Sequence, residues 1–376
     1  MKNFRIENYL SDLAQIVNID SGHHYAEGTN AVADIMAEKY RALGLKVEKK
    51  YCDGFEAAPF LTVRNSDSER IDVMMLAHMD TVFPVGTAAE RPFSIDEKGH
   101  GRGPGVVDCK GSCMSMYYLI KGMLENNEVN FNFCLCMNSD EETKSTYSRG
   151  FIEEIAAKSD RCLVFEPGRP NEEFVGQRKS GVNYIVRCHG IAAHSGVEPE
   201  KGASAILELS KWIPELYKHF NLEEGTTVNI GRFDGGADNG QVPDYAEFTI
   251  SLRCLSPDSE KAFEKRLYEL RDRPFDPRCR VEVEDLGHRP AMFLHEKSRE
   301  LLNVFEEVGR EMNYPVVALT TGGGSDGNFV AYHNVATMDG CGPAGGCLHT
   351  PDEWMHIETV ETRIDFIRNV LLKIFG

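Results

Sequence analysis

Short apolar runs alternate with a helix-like segment in the first half of this chain, and this pattern limits the folds that the chain can adopt. Residues 73–77, 131–137 and 162–165 are apolar stretches typical of strands buried on both faces, and residues 111–125 carry apolar positions at helical spacing. This alternation predicts an α/β fold with a mostly parallel sheet. Because ligands of such sheets bind beyond the carboxyl ends of the strands, the polar residues at those ends are the first candidates for chemistry.

The pattern changes from about residue 182, where strand-like segments alternate polar and apolar residues and are separated by helical segments. It predicts an open sheet with one solvated face and helices on the other. We therefore expect a catalytic domain formed by residues 1–177 and 288–376, interrupted by an α+β, ferredoxin-like domain at residues 178–287. Insertions of this kind commonly form lids or dimer contacts, so we expect a homodimer through the inserted domain.

The composition argues against several classes of protein. The 376 residues carry a formal net charge of -18 and are 41% hydrophobic, as in an ordinary globular protein. We expect no nucleic-acid partner, because phosphate binding requires a basic surface, and no membrane span, because the apolar runs are short. Eleven cysteines without a C-x-x-C pair, and an amino terminus without a signal-like apolar run, predict reduced thiols and a cytoplasmic location. Cys109 and Cys113 are predicted to be core residues.

His78 and Asp80 lie in the segment LAHMDT at the carboxyl end of the first predicted strand. With one residue between them, both side chains leave the same side of an extended chain. A histidine that binds zinc usually donates its other ring N–H to a carboxylate, which predicts His78 as a ligand and Asp80 as the residue that orients it. A solvated turn at a strand end is the alternative for so short a motif.

Carboxylates crowd the ends of the next two predicted strands. Asp140, Glu141 and Glu142 follow the second strand, and Glu166 follows the third. Like charges at one strand end repel one another unless cations compensate them. An acidic surface run and a turn glutamate are the alternatives, but the position at strand ends favours a metal site.

Two further candidates lie beside predicted helices. Asp108 follows the segment GRGPGVV directly before a helix, where an aspartate can also be an N-cap, and His349 lies in CLHTPDEW before the last helix, where it could be a loop histidine. Together with His78, Glu142 and Glu166 they make two histidines and three carboxylates. That set suffices for two four-coordinate zinc ions if one carboxylate bridges them.

Seven motifs follow one another along nearly the whole chain: LAHMDTVFPVGT, GRGPGVVDCKG, NSDEET, FEPG, GIAAHSG, GGGSDGNF and CLHTPDEW. In this order and at these intervals they resemble the zinc metallopeptidase family that includes glutamate carboxypeptidase, acetylornithine deacetylase, succinyl-diaminopimelate desuccinylase, aminoacylase and tripeptidase. The first and sixth motifs look most like the glutamate carboxypeptidase branch. Two features depart from the family pattern, namely Cys109, where the family often has Met, and the region 169–181.

The resemblance implies two zinc ions per subunit, for which manganese or cobalt could substitute. It assigns His78 and Glu166 to one ion, Glu142 and His349 to the other, and Asp108 to both. It also implies a cis peptide bond directly after Asp108.

The resemblance further implies a hydrolase of peptide or amide bonds in small peptides or N-acyl amino acids, of the carboxypeptidase or deacylase type. A hydroxide that bridges the two ions would be the nucleophile, and Glu141 would be the general base. In the family, the counterpart of His194 reaches the active site of the partner subunit. The other implied residues are the catalytic Asp80 and His194 and the substrate-binding Arg253, Asn239 and Gly323.

Two alternatives remain at this stage. Residues 323–327 match the G-x-S-x-G pattern of serine hydrolases, with Ser325 as nucleophile and with Asp339 and His349 downstream in the expected order. This alternative leaves His78, Asp108 and the acidic cluster without a function. The other alternative is a metal-stabilised, dimeric binding protein that keeps the fold without catalysis.

Overall fold

The computed structural model describes residues 3–22, 24–52 and 55–376, in which helices and strands alternate along the chain. The helices are α1 (Ile6–Val17), α2 (Ala26–Ala42), α3 (Thr87–Glu90), α4 (Lys110–Glu125), α5 (Arg149–Ala156), α6 (Ala205–Tyr217), α7 (Pro257–Asp272), α8 (Glu296–Met312), α9 (Gly327–Tyr332) and α10 (Val360–Phe375). The strands are β1 (Lys46–Cys52), β2 (Phe55–Arg64), β3 (Val73–His78), β4 (Ser94–Ile95), β5 (His100–Arg102), β6 (Phe133–Asn138), β7 (Arg161–Val164), β8 (Phe174–Arg178), β9 (Gly181–His189), β10 (Thr227–Gly235), β11 (Tyr245–Arg253), β12 (Arg280–Arg289), β13 (Ala318–Thr321), β14 (Ala336–Met338), β15 (Gly345–Gly346) and β16 (Trp354–His356). Single 3-10 turns span Glu141–Thr143, Pro199–Lys201 and Ile357–Thr359.

The chain divides into two compact units. Unit 1 comprises Met1–Gly176, Leu294–Thr320 and Ser325–Gly376, and unit 2 comprises Gln177–Phe293 and Thr321–Gly324. The limits that the sequence pattern predicts for the inserted domain, 178–287, fall inside the longer segment of unit 2.

The main sheet of unit 1 has six strands in the order β1-β2-β6-β3-β7-β14. Its centre is parallel, since β3 pairs in parallel with β6 and β7, and β7 pairs in parallel with β14. The strands β1 and β2 add an antiparallel edge. Every residue of β3 and β6 is buried, which explains their continuous apolar sequences. The prediction of an α/β fold with a mostly parallel sheet is confirmed.

Helices cover both faces of this sheet. Met74 and Leu76 belong to an apolar cluster with residues of α5 and α9, whereas Val73 and Met75 belong to a larger cluster with residues of α1, α2, α4, α8 and α10. Because alternate residues of a strand point to opposite faces, β3 contributes to both clusters. Burial of each such side chain stabilises the fold by about 1.5–3 kcal/mol, so the strands form a firm support for the residues at their carboxyl ends.

Unit 2 contains an open antiparallel sheet in the order β10-β11-β9-β12. Buried and partly exposed residues alternate along β9 and β11, and the buried ones form a core with α6 and α7 around Trp212 and Phe248. Along the chain the elements follow as strand, helix, two strands, helix and strand, which is the ferredoxin-like arrangement. The predicted α+β insertion is thus confirmed.

Ten cysteines are free among the described residues, and nine of them are buried. Cys109 and Cys113 are fully buried, which confirms that they are core residues. Within the described part of the chain, the helices fall short of the length and apolar content that a bilayer span requires.

Candidate metal centre

The carboxyl ends of β3, β6 and β7 meet at one edge of the main sheet, because the three strands are adjacent and parallel. His78 is the last residue of β3, the turn Glu141–Thr143 follows β6, and Glu166 lies just beyond β7. The parallel arrangement therefore brings together side chains that are far apart in sequence.

Asp108 lies between two histidine rings. Its Oδ1 is 3.0 Å from Nε2 of His78, and its Oδ2 is 3.3 Å from Nε2 of His349. The N-cap position of α4 is occupied by Cys109, and the Asp108–Cys109 peptide bond is cis. Because each of its oxygens faces a different histidine, the Asp108 carboxylate can bridge two cations.

Glu166 and Glu142 complete the two sides of this arrangement. Glu166 Oε1 is 3.8 Å from Nε2 of His78, and Glu142 Oε2 is 3.2 Å from Nε2 of His349. Ligand atoms of His78, Asp108 and Glu142 also lie within 4.8 Å of one another, so the two sides adjoin. In a tetrahedral zinc site with bonds of about 2.0–2.1 Å, ligand atoms are roughly 3.3 Å apart. The donor types and spacings therefore fit two zinc ions that share Asp108.

Cys109 offers a further donor atom near His78 and Glu166. Its thiol donates a hydrogen bond to the carbonyl oxygen of Phe165 at 3.2 Å, and burial raises the pKa of this thiol to about 12. Because zinc binds the thiolate, the high pKa and the hydrogen bond favour a packing function for Cys109.

Asp80 is fully buried and links two strand ends. Its Oδ1 is 3.3 Å from Nδ1 of His78, whose Nε2 faces Asp108. The same carboxylate accepts hydrogen bonds from the backbone N–H groups of Glu141 at 3.3 Å and Glu142 at 3.0 Å. This second contact, which the sequence analysis did not foresee, fixes the turn after β6 relative to His78.

Negative charge is in excess at the centre, because the two histidines are accompanied by the carboxylates of Asp80, Asp108, Glu141, Glu142 and Glu166. Burial raises the pKa of Glu142 to about 6 and the pKa of Glu166 well above its ordinary value. Hydrogen bonds to Asp108 and Glu142 raise the pKa of His349 to about 10. The raised pKa values of all three groups mean that the site favours their protonated forms and so attracts positive charge. Bound cations would compensate the same carboxylates.

Ser325 does not have the environment of a nucleophile. Its side chain is fully buried, and its hydroxyl donates to Asp339 Oδ2 at 2.6 Å and accepts from the N–H of Gly327 at 3.1 Å. His349, the proposed base of the serine hydrolase alternative, lies instead against Asp108 and Glu142. The geometry contradicts the reading of residues 323–327 as a nucleophile elbow.

His194 and Asn239 lie on adjacent loops of unit 2. The Nδ1 atom of His194 accepts hydrogen bonds from the N–H groups of Gly196 and Val197, both at 3.1 Å. In the neutral ring this places the proton on Nε2, and the ring is exposed. The carbonyl oxygen of Asn239 accepts a hydrogen bond from Ser195 Oγ at 3.3 Å, which ties the two loops together.

Arginines surround a glycine segment of unit 2. Arg178 donates from Nη1 to the carbonyl oxygens of Gly323 at 3.1 Å and Gly324 at 3.4 Å, and Arg289 packs directly against Gly324. Burial, and then the charge of Arg289, lower the pKa of Arg253, the last residue of β11. Arg178 and Arg289 were not among the sequence candidates, since isolated arginines in strand segments carry no motif.

Glu353 was missed by the sequence analysis too, although it belongs to the same motif as His349. It is buried, and its carboxylate accepts hydrogen bonds from the N–H groups of Gly105, Val107 and Asp108. Its place four residues after a candidate ligand was the available signal.

Known proteins share sequence with this chain over most of its length. The profile of peptidase family M20/M25/M40 matches residues 74–373. The chain is 26% identical over 363 residues to carboxypeptidase G2 of Pseudomonas sp. (strain RS-16), covering 94% of this chain and 86% of that protein. It is 23% identical over 325 residues to succinyl-diaminopimelate desuccinylase of Marinobacter nauticus, covering 81% and 84%.

Solved structures share the fold. Aminopeptidase PepT of Bacillus cereus superposes with a TM-score of 0.79 at 21% identity over 99% of each chain. An M20 family metallo-carboxypeptidase of Sulfolobus solfataricus has a TM-score of 0.67 at 18% identity, over 98% of this chain and 99% of that one. The profile match covers most of the chain and confirms the resemblance seen in the motifs. The chain is a metal-dependent hydrolase of peptide or amide bonds and belongs to peptidase family M20/M25/M40.

Proposed function

We propose that this protein is a di-zinc hydrolase of small peptides or N-acyl amino acids, of the carboxypeptidase or deacylase type. The observation that carries the proposal is the convergence of five side chains on one sheet edge, with Asp108 between His78 and His349. Glu166 lies on the His78 side and Glu142 on the His349 side. When bound, two zinc ions lower the pKa of a water molecule and polarise the carbonyl group of the scissile bond. Manganese or cobalt can use the same donors.

Glu141 acts as the general base in this proposal. Its backbone N–H donates a hydrogen bond to Asp80 Oδ1 at 3.3 Å, which fixes the turn that carries it beside His78. Besides burial, the negative charge of Glu141 contributes to the raised pKa values of Glu142 and Glu166, so it lies within electrostatic reach of both sides of the centre. Glu141 takes a proton from the attacking water and returns it to the leaving amine.

Residues of unit 2 bind the substrate in this proposal. The exposed Nε2–H of His194 donates to the oxyanion that develops on the scissile carbonyl. Arg253, with Arg289 beside it, binds a free carboxylate of the substrate, because neighbouring guanidinium groups favour an anion between them. Asn239 and Gly323 contribute polar groups from their loops to the same substrate.

We also propose a homodimer formed through unit 2 and a cytoplasmic location. The strand β10 is an edge of the open sheet, and an edge strand offers backbone groups for pairing with a second copy. Free cysteines persist in reducing compartments, which supports the cytoplasm.

The test is a substrate screen with the zinc-reconstituted protein. The panel contains C-terminal glutamyl dipeptides, because the motifs resemble the glutamate carboxypeptidase branch, beside N-acetyl and N-succinyl amino acids. We expect hydrolysis of at least one class, loss of activity with a chelator, and recovery on addition of zinc. A zinc-loaded protein that is inert against the whole panel would favour the binding-protein alternative.

A further inference from the structure

Glu353 holds the loop that carries Asp108. Its Oε1 accepts hydrogen bonds from the N–H groups of Val107 at 2.9 Å and Asp108 at 3.0 Å, and its Oε2 accepts from the N–H of Gly105 at 2.9 Å. The carboxylate is almost completely buried, with the residue 1% exposed. Hydrogen bonds to a buried carboxylate are about twice as strong as those between neutral groups, so the backbone around Asp108 is strongly fixed by this one side chain.

The loop has little freedom to find other positions. Gly105 adopts a φ of +72°, and a Cβ atom there would lie 2.6 Å from Cγ2 of Thr81 and 3.1 Å from the carbonyl oxygen of Asp108. A side chain at position 105 would collide with Thr81, so the loop is packed closely against the segment that follows β3. Its three N–H groups all donate to the Glu353 carboxylate, which fixes the backbone at Asp108.

The backbone of Glu353 belongs to the segment that carries His349. The N–H of Glu353 donates to the carbonyl oxygen of Thr350 at 3.2 Å, which closes the turn after His349. The next residue, Trp354, begins β16 and pairs with Arg102 at the end of β5, directly before the Asp108 loop. Glu353 therefore stands where the two ligand-bearing segments meet.

We propose that Glu353 is a positioning residue that fixes Asp108 relative to His349, so that both reach the same cation. The inference rests on the proposed dinuclear site. Both sides share Asp108, but the segments that Glu353 joins supply two of the three residues of the His349 side, Asp108 and His349. On the His78 side they supply Asp108 alone, because His78 and Glu166 follow strands that Glu353 does not hold. Loss of the Glu353 carboxylate therefore weakens one zinc site more than the other.

The test compares stepwise zinc binding in the wild type and in Glu353→Gln, by competition with a chromophoric chelator. The amide keeps the size of the side chain, but its NH₂ group faces at least one of the three N–H donors. We expect one zinc ion to bind about 10- to 100-fold more weakly, the range observed for residues that orient metal ligands, and the other within about threefold of wild type. Glu353→Asp, which keeps the charge but shortens the side chain, is measured in parallel and should show the same selective loss.

Glu208 provides a matched control in unit 2. Its buried carboxylate also accepts three hydrogen bonds, from Trp212 Nε1 at 3.0 Å and from the backbone N–H groups of Phe275 at 2.9 Å and Asp276 at 2.8 Å. Glu208→Gln should lower the midpoint of unfolding and leave both zinc constants at their wild-type values.

The outcomes separate this inference from the proposed function. Two unchanged zinc constants in both Glu353 variants, or an equal loss at both sites, would overturn the positioning role while the wild type still binds two ions. A wild-type protein that binds fewer than two zinc ions would overturn the proposed function and this inference together.

Discussion

Ser325→Ala decides between the metal centre and the serine hydrolase alternative. The substitution removes a hydroxyl that donates to Asp339 at 2.6 Å and accepts from the N–H of Gly327 at 3.1 Å. A hydrogen bond to a charged group contributes about 1.5–3 kcal/mol, and a buried N–H left without its acceptor costs about 1–3 kcal/mol. Because the site can relax in part, we expect the free energy of unfolding to fall by about 2–4 kcal/mol.

Activity should respond very differently from stability. The hydroxyl is fully buried, so we expect kcat/KM on the substrate found in the screen to stay within about threefold of wild type. Removal of a true serine nucleophile lowers kcat by about 10⁶-fold. The assay is steady-state hydrolysis beside urea unfolding, with labelling by a serine-directed phosphonate as a second readout. A loss of activity on the scale of a nucleophile knockout, or phosphonate labelling of Ser325 in the wild type, would refute the reasoning.

Three further predictions test other parts of the molecule. Glu141→Ala should lower kcat by about 10²- to 10⁴-fold. Its zinc content should stay near that of the wild type, because Glu141 contacts Asp80 through its backbone N–H, which the substitution keeps. Loss of both metals would count against a role as general base. His194→Ala should lower kcat by about 10²- to 10³-fold with unchanged circular dichroism, since the ring is exposed, and full activity would contradict its role. Burial lowers the pKa of His295 below 6.5, so the folded protein takes up the proton less readily than the unfolded chain and stability falls as the pH drops below that value. Nδ1 of His295 caps α8 by accepting a hydrogen bond from the N–H of Ser298, and an asparagine at this position would keep a cap. The unfolding midpoint of His295→Asn should therefore differ less between about pH 7.5 and about pH 5.5 than that of the wild type. An equal difference in both proteins would exclude His295 as the cause.

The centre of the fold was predictable because burial leaves a direct trace in the sequence. The runs at 73–77, 131–137 and 162–165 correspond to β3, β6 and β7 with ends shifted by up to two residues, and the helix expected at 111–125 is α4. The order of the strands in the sheet could not be predicted, because it depends on pairings such as Val73 with Phe133 that local patterns do not encode.

The candidate site was predictable for a related reason. Parallel strands deliver their carboxyl ends to one edge, so His78, Glu142 and Glu166 could be grouped before their distances were known. The contacts of Asp80 with the turn after β6 and of Glu353 with the Asp108 loop could not be predicted. Both use backbone N–H groups, which every residue but proline carries and which therefore leave no mark in the sequence.

The two histidines of the centre differ greatly in their access to solvent. The side chain of His78 is 2% exposed, whereas that of His349 is 53% exposed. A chelator can thus approach the His349 side of the folded protein directly, while the His78 side opens to it only when the surrounding structure moves. Removal of metal from the proposed di-zinc site should then proceed in two kinetic phases, and the species that accumulates between them should carry a single ion on the His78 side.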